Sequence, residues 1–388
     1  MAPEPVPFHI DVDRAAVADL GRRIRDTRWS SDFGNDDGRY GLTSTWLRSM
    51  AKHWSEEFDW KAQEATLNAW PQFRVSIDGV PIHFVHVESP DPNAIPIMLS
   101  HGWPWTFFDW MQVVDRLADP RRHGIAADVS FDIVVPSLPG FGFSSPLTTT
   151  GVDTRAIGRL LLRLMREVLG YDSFVVAGGD FGASLSADIA HRNPEAVKGL
   201  WLTLPRLPGV DLRTIGEGDF ADNEQWMLDR AREARQVIQS HVATATHEPQ
   251  TLAYALADSP MGLAAWIWAR RKHWSDNGGD IHSAFSRDFL CTTASIYWFT
   301  ETIGSSLRIY IEQLGNPRNN VLSDQRPLVK VPTAFAVFPK ELLFLPRAVA
   351  GELTNLARWQ VMPAGGHFAP AEQPDLVAAD LVDFVAGL

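Results

Sequence analysis

The run Phe174-Val175-Val176-Ala177 passes directly into Gly178-Gly179-Asp180-Phe181-Gly182, and this junction constrains the fold more than any other stretch of the chain. A short apolar run bounded by glycine reads as a buried strand. The following Ser184-Leu185-Ser186-Ala187-Asp188-Ile189-Ala190 reads as a helix. A chain that passes from strand to helix in so few residues crowds its own backbone, and side chains beside the turn would clash, which accounts for Gly178 and Gly182. Asp180 then sits at the apex, at the end of a strand, with its carboxylate near the positive end of a helix dipole that helps keep it ionised. A glycine-rich turn with an Asp helix cap has the same local composition. The reading of Asp180 as a reactive group therefore depends on what else the chain supplies.

The residue type decides the chemistry. A serine at such an apex attacks acyl carbon, whereas a carboxylate displaces a leaving group from alkyl carbon and leaves an alkyl ester that water hydrolyses. Asp180 points to epoxides or alkyl halides, not to peptides or ordinary esters. An elbow of this kind takes its partners in the order nucleophile, acid, histidine. Downstream, the strand-like Val331–Phe338 leads to Pro339-Lys340-Glu341, and Arg358–Met362 leads to Pro363-Ala364-Gly365-Gly366-His367-Phe368. Both place a polar group just past the carboxyl end of a strand, where open α/β sheets build their sites. For Glu341 the plain alternative is a solvated loop carboxylate. Upstream, Ile97-Met98-Leu99-Ser100 runs into His101-Gly102-Trp103-Pro104. The backbone N–H of Trp103 and that of Phe181 would form an oxyanion hole, with the His101 ring as a structural hydrogen-bond partner.

These segments together resemble the epoxide hydrolases of the microsomal type, in their soluble bacterial form. The resemblance is carried by His101-Gly102-Trp103-Pro104, by Pro136-Ser137-Leu138-Pro139-Gly140-Phe141-Gly142-Phe143-Ser144 and by Gly178-Gly179-Asp180-Phe181-Gly182. It continues in Asp258-Ser259-Pro260-Met261-Gly262-Leu263-Ala264-Ala265-Trp266 and Gly365-Gly366-His367-Phe368-Ala369, and at the start in Phe58–Glu64 and Pro71-Gln72-Phe73. It implies an α/β-hydrolase fold, a mostly parallel sheet flanked by helices, with an N-terminal meander and a helical lid. It also implies an Asp180 nucleophile, a His367 that activates water, a Glu341 that orients it, and no cofactor or metal.

In the family, lid tyrosines donate hydrogen bonds to the epoxide oxygen. Tyr310, in Ser305-Ser306-Leu307-Arg308-Ile309-Tyr310, matches one of them. The other normally lies eight residues before a lid proline, and counting back from Pro249 gives His241, a departure from the family in which an imidazole would have to serve. Tyr254 and Tyr297 read as packing residues. The implied partner is a small-molecule epoxide. Detoxification and antibiotic biosynthesis are both roles of soluble members, and a Trp-rich lid suits a bulky aromatic substrate. A homodimer is left open. A haloalkane or haloacid dehalogenase shares the Asp nucleophile, but dehalogenases commonly follow it with a Trp that binds halide, and Phe181 cannot donate. A non-catalytic ligand-binding relative is the other alternative, and such proteins usually lack one of the three polar residues found here.

Composition removes further classes. A net charge of −12 with no basic stripe argues against nucleic acid or an anionic membrane as partner. Cys291 is the sole cysteine, so an intrachain disulfide and a thiolate zinc site are both excluded. His83 and His86 alternate on a strand and read as face residues. With no basic start or long apolar stretch visible, and the chain beginning after the point where an anchored relative's anchor would end, a cytoplasmic location is expected.

Amphipathic spacing predicts helices over residues 11–28 and Thr45–Trp54, and Asp78-Gly79 predicts a hairpin between Phe73–Ile77 and Ile82–Val87. Strands at Ile95–Ser100, Phe131–Pro136, Phe174–Gly179 and Val197–Leu204 then alternate with helices at Phe107–Leu117 and Thr154–Leu169, the rhythm of a parallel sheet. It breaks after Pro205 and resumes at Val331. The expected division is an N-terminal extension over 1–72, a core over 73–208 and 327–388, and a helical lid over 209–326.

Overall fold

A computed structural model describes residues 3–126, 129–314 and 325–388. The Asp78-Gly79 turn, with φ of 53° and 80°, joins β2 to β3 in the left-handed geometry that a tight hairpin requires. The strands are β1 (Val6–Pro7), β2 (Gln72–Ile77), β3 (Val80–Val87), β4 (Ile95–Ser100), β5 (Phe131–Pro136), β6 (Phe174–Gly178), β7 (Val197–Leu202), β8 (Val329–Val337) and β9 (Thr354–Val361). They form one sheet in the order β1-β2-β3-β5-β4-β6-β7-β8-β9. The pairs from β1 to β5 along this order are antiparallel, and all later pairs are parallel. Every residue of β6 is buried, as expected of a central strand covered on both faces.

The extension contributes α1 (Arg14–Arg25), α2 (Ser44–Lys52) and α3 (Trp60–Leu67). The first is shorter than the predicted 11–28 because Asp13 caps it, accepting from the Ala15 N–H. The second continues into a π-helical turn, His53–Glu57. The core adds α4 (Met111–Ala118), α5 (Thr154–Arg163) and α6 (Asp180–Arg192). Between β7 and β8 lie the lid helices α7 (Gln225–His247), α8 (Pro249–Asp258), α9 (Pro260–Trp274), α10 (Arg287–Phe299) and α11 (Ile303–Leu314). Then come α12 (Arg347–Leu353), α13 (Ala369–Glu372) and α14 (Pro374–Ala386). No described helix is long and apolar enough to cross a membrane, and no group of metal-ligating side chains occurs among the described residues.

Most of the lid aromatics are used in holding the lid to the rest of the chain. Trp268 packs on Trp46 and Trp54, Phe299 on Trp60, and Trp226 on Phe344. Trp54 also donates from its indole to the Ser295 hydroxyl at 3.0 Å, so the extension grips α9 and α10 as well as the core. Tyr297 is buried and donates to the Trp105 carbonyl at 2.8 Å. Tyr254, by contrast, is 72 % exposed, so the packing role that periodicity gave it is not seen.

Candidate active site

The elbow is as tight as its glycines imply. A Cβ on Gly182 would lie 2.1 Å from the Ser100 carbonyl oxygen, and one on Gly178 would lie 2.4 Å from the Gly182 carbonyl carbon. Asp180, the first residue of α6, is held at φ 50°, a conformation that costs a non-glycine residue of order 1–3 kcal/mol and places its side chain at the end of β6. The Trp103 N–H donates to Asp180 Oδ1 at 2.8 Å, and the Phe181 N–H also acts on this carboxylate. The loop that carries Trp103 approaches so closely that a Cβ on Gly102 would sit 2.3 Å from Asp180 Cβ. His101 is a loop organiser: its Nε2 accepts the Leu138 N–H at 3.0 Å, which leaves the proton on Nδ1 to donate to the Gly102 carbonyl.

His367 stands between two carboxylates. Its Nδ1 is 2.7 Å from Glu341 Oε1, and its Nε2 approaches Asp180 Oδ2 at 3.5 Å, an ion-pair contact too loose for a hydrogen bond. Burial pushes the imidazole down, but the charge of Glu341 and the contact with Asp180 outweigh it and raise its pKa to about 10. For Asp180 the balance is complementary. Burial pushes its carboxyl up, while His367 and the N–H groups of Trp103 and Phe181 bring it below the ordinary value. Glu341 is buried and also accepts the Leu342 N–H at 2.6 Å, so it is not the solvated carboxylate of the plain reading.

Tyr310 on α11 and His241 on α7 face each other, with the Tyr310 hydroxyl 3.1 Å from His241 Nε2. Burial, with the charge of Asp180, pushes the Tyr310 phenol far up, so it keeps its proton. Burial, with the charge of Arg270, pushes the His241 imidazole down to about 3, so it is neutral. His241 stacks on Trp103 with ring planes 10° apart and touches Trp274. The phenol packs edge-on against Phe181, at 4.8 Å between centroids.

All seven residues singled out in the sequence converge here. A cavity of about 220 Å³ is lined by Asp180, Phe181, His241, Tyr310 and His367, with Trp274 the one lid tryptophan that reaches it. Sequence reasoning missed Arg206 and Arg235, which line the same cavity. It also missed Glu372, whose carboxylate accepts the N–H groups of Gly366, Phe368 and Asp276 and so clamps the loop on both sides of His367. Burial pushes Glu372 up to about 7 against these donors. The available signal was the acid five residues after the histidine. For Arg235 it was the helical spacing Arg235, Ile238, Val242 around His241.

The chain was compared with known proteins. Residues 5–110 match the family described as epoxide hydrolase N terminus, and residues 95–374 match the alpha/beta hydrolase fold. Epoxide hydrolase 1 of Oryctolagus cuniculus is 34% identical over an alignment covering 98% of this chain and 88% of that protein. The structure of Aspergillus niger epoxide hydrolase superposes with a TM-score of 0.84 at 27% identity, covering 100% of this chain and 96% of that one. Juvenile hormone epoxide hydrolase from the silkworm Bombyx mori gives a TM-score of 0.87 at 25% identity, covering 98% and 94%. Both the extension and the hydrolase core are thus shared with enzymes that open epoxides, and the chain belongs to the microsomal-type epoxide hydrolases.

Proposed function

We propose that this enzyme converts an epoxide to a vicinal diol through an ester on Asp180. Oδ1 is held by the Trp103 N–H, and Oδ2, the oxygen free of that bond, attacks an epoxide carbon. The carbon–oxygen bond of the ring breaks, and the departing oxygen takes a proton from the lid. Tyr310 supplies it, being protonated and buried beside the nucleophile. His241, with its proton on Nε2, is the second donor to the same oxygen. Its Nδ1 has no partner in hydrogen-bond geometry, the Ile238 carbonyl one turn back acting on the ring only weakly, and a buried unpaired acceptor costs less than a buried unpaired donor. Two donors only 3.1 Å apart can both reach one oxygen.

In the second half-reaction, water gives a proton to His367 Nε2 and its oxygen attacks the ester carbon. Trp103 and Phe181 N–H groups stabilise the oxyanion on Oδ1, the Cγ–Oδ2 bond breaks, the departing oxygen takes the proton of the new carboxyl group, and the diol leaves with Asp180 restored as a carboxylate beside a protonated His367. The apolar wall of Trp274, Phe181, Leu204 and Val242 suits a bulky aromatic epoxide.

The observation that carries this reading is the continuous line Trp103 N–H, Asp180, His367, Glu341, each link set by the distances above. The test is mass spectrometry of His367→Gln incubated with styrene oxide. Alkylation should run for one turnover and stall with the adduct on Asp180, because general-base assistance worth roughly 10²–10⁴-fold has been removed from hydrolysis alone. An adduct elsewhere, or alkylation slowed as much as hydrolysis, refutes it.

A further inference from the structure

We propose that the enzyme's preferred substrate carries a carboxylate remote from its epoxide, and that Arg206 and Arg235 hold it. The inference rests on the epoxide-opening reading of the same cavity and adds the substrate class.

The cavity is built in two zones. Near the nucleophile it is closed by Phe181, Trp274, Tyr310 and the two histidines. Farther along α7 its wall passes through Ile238 and Val242 to Arg235, and Arg206 arrives from the loop after β7. Both arginines are exposed, and neither makes a salt bridge or a side-chain hydrogen bond among the described residues. Many other arginines of this acidic chain do have such partners, among them Arg23, Arg163, Arg192, Arg232 and Arg358. Arg206 is near enough to Tyr310 for its charge to act on the phenol, which places it on the cavity side of its loop.

Two cations at the mouth of a mostly apolar cavity attract an anion far more than they do a neutral aromatic ring. Guanidinium presents paired N–H donors that match a carboxylate, and the apolar wall between mouth and nucleophile receives the body of the molecule. An apolar epoxide with a terminal carboxylate fits both zones at once. The Asp180 carboxylate at the inner end repels that group, which fixes the orientation with the epoxide inward.

The test compares kcat/KM for 4-(oxiran-2-yl)benzoate, its methyl ester and styrene oxide. The acid should exceed the ester by about tenfold, the worth of one good charge-assisted pair. The acid-to-ester ratio should fall roughly fivefold in Arg206→Gln or Arg235→Gln and collapse to about one in the double variant. Added salt should shrink the ratio of the parent enzyme. A parent ratio of one or below, or a ratio untouched by the double substitution, overturns the proposal. As a measurement that needs no variant, 4-vinylbenzoate should inhibit ester hydrolysis more tightly than 4-vinylbenzamide, and equal inhibition also overturns it. Failure to turn over any of the three epoxides would instead defeat the epoxide-opening reading of the cavity, and this proposal with it.

Discussion

Replacing Asp180 with asparagine tests the electrostatic logic of the cycle, because the amide keeps the shape of the carboxylate and, like the alkyl ester, carries no charge. In the resting enzyme His367 is driven down by burial but lifted to about 10 by Glu341 and Asp180, so it is protonated at neutral pH and cannot act as a base. Unit charges at the 3.5 Å separation of Nε2 and Oδ2 interact by about 5 kcal/mol at an effective dielectric of about 20, roughly a thousandfold or more in proton affinity. Forming the ester cancels the Asp180 charge, and His367 should then give up its proton, which returns to the Tyr310 phenolate, and stand neutral for the step that needs a base. In Asp180→Asn its pKa should drop toward the ordinary imidazole value, a change that NMR titration of the labelled ring reads directly. Stability should follow. A raised histidine pKa contributes stability in full below the unfolded value of 6.5 and loses it as pH rises through about 10. The melting temperature of the parent should therefore fall across that window, and the asparagine variant should lose much of this slope. A His367 that titrates alike in both proteins would refute the reasoning.

Ring opening and the elbow can be perturbed separately. Tyr310→Phe should slow alkylation by about 10²–10³-fold with little change in substrate binding, and His241→Ala should slow the same step, both read by stopped-flow under single-turnover conditions. Alkylation at the parent rate in His241→Ala would leave Tyr310 as the only donor. Gly182→Ala forces a methyl group to within 2.1 Å of the Ser100 carbonyl and should cost roughly 1–3 kcal/mol or more in denaturant unfolding.

The convergence of Asp180, Glu341 and His367 was legible because strand ends and glycines announce it. Asp180, Glu341 and His367 each lie past the carboxyl end of a strand, the first two after apolar runs, and the glycines around Asp180 and His367 are explained by the close contacts a Cβ would make. The fold was legible for the same reason, since its alternating strands and helices carry distinct periods. The lid was harder to read. Its helices are apolar on several faces, because α9 and α10 are covered by the core on one side and by the extension on another, so periodicity could not separate rings that pack from a ring that faces the cavity. Trp268 and Trp274 differ in this respect only through Trp46 and Trp54, which are distant in sequence. Arg206 carried no local signal and Arg235 only its helical spacing with Ile238 and Val242, because which charged residues surround a cavity depends on how β7 and α7 are placed in space. The short β1 was missed because two residues at an edge leave no period to detect.

The extension bears on chemistry as well as stability. Trp46 and Trp54 pack on Trp268 of α9, and Trp54 bonds Ser295 of α10. From α9, the buried Arg271 pairs with Asp109 at 3.0 Å and donates to the Pro104 carbonyl at 3.3 Å. From α10, Tyr297 donates to the Trp105 carbonyl. Pro104 and Trp105 directly follow Trp103, whose N–H holds Asp180 Oδ1. The two lid helices that the extension grips thus fix the loop whose Trp103 N–H is proposed as an oxyanion donor, while α7 and α11 carry the groups assigned to the substrate. An oxyanion donor acts only if it is in place before charge develops. This division puts the loop that carries the Trp103 N–H on a side held by α9 and α10, and puts His241, Tyr310 and Arg235, to which ring opening and substrate choice are assigned, on α7 and α11.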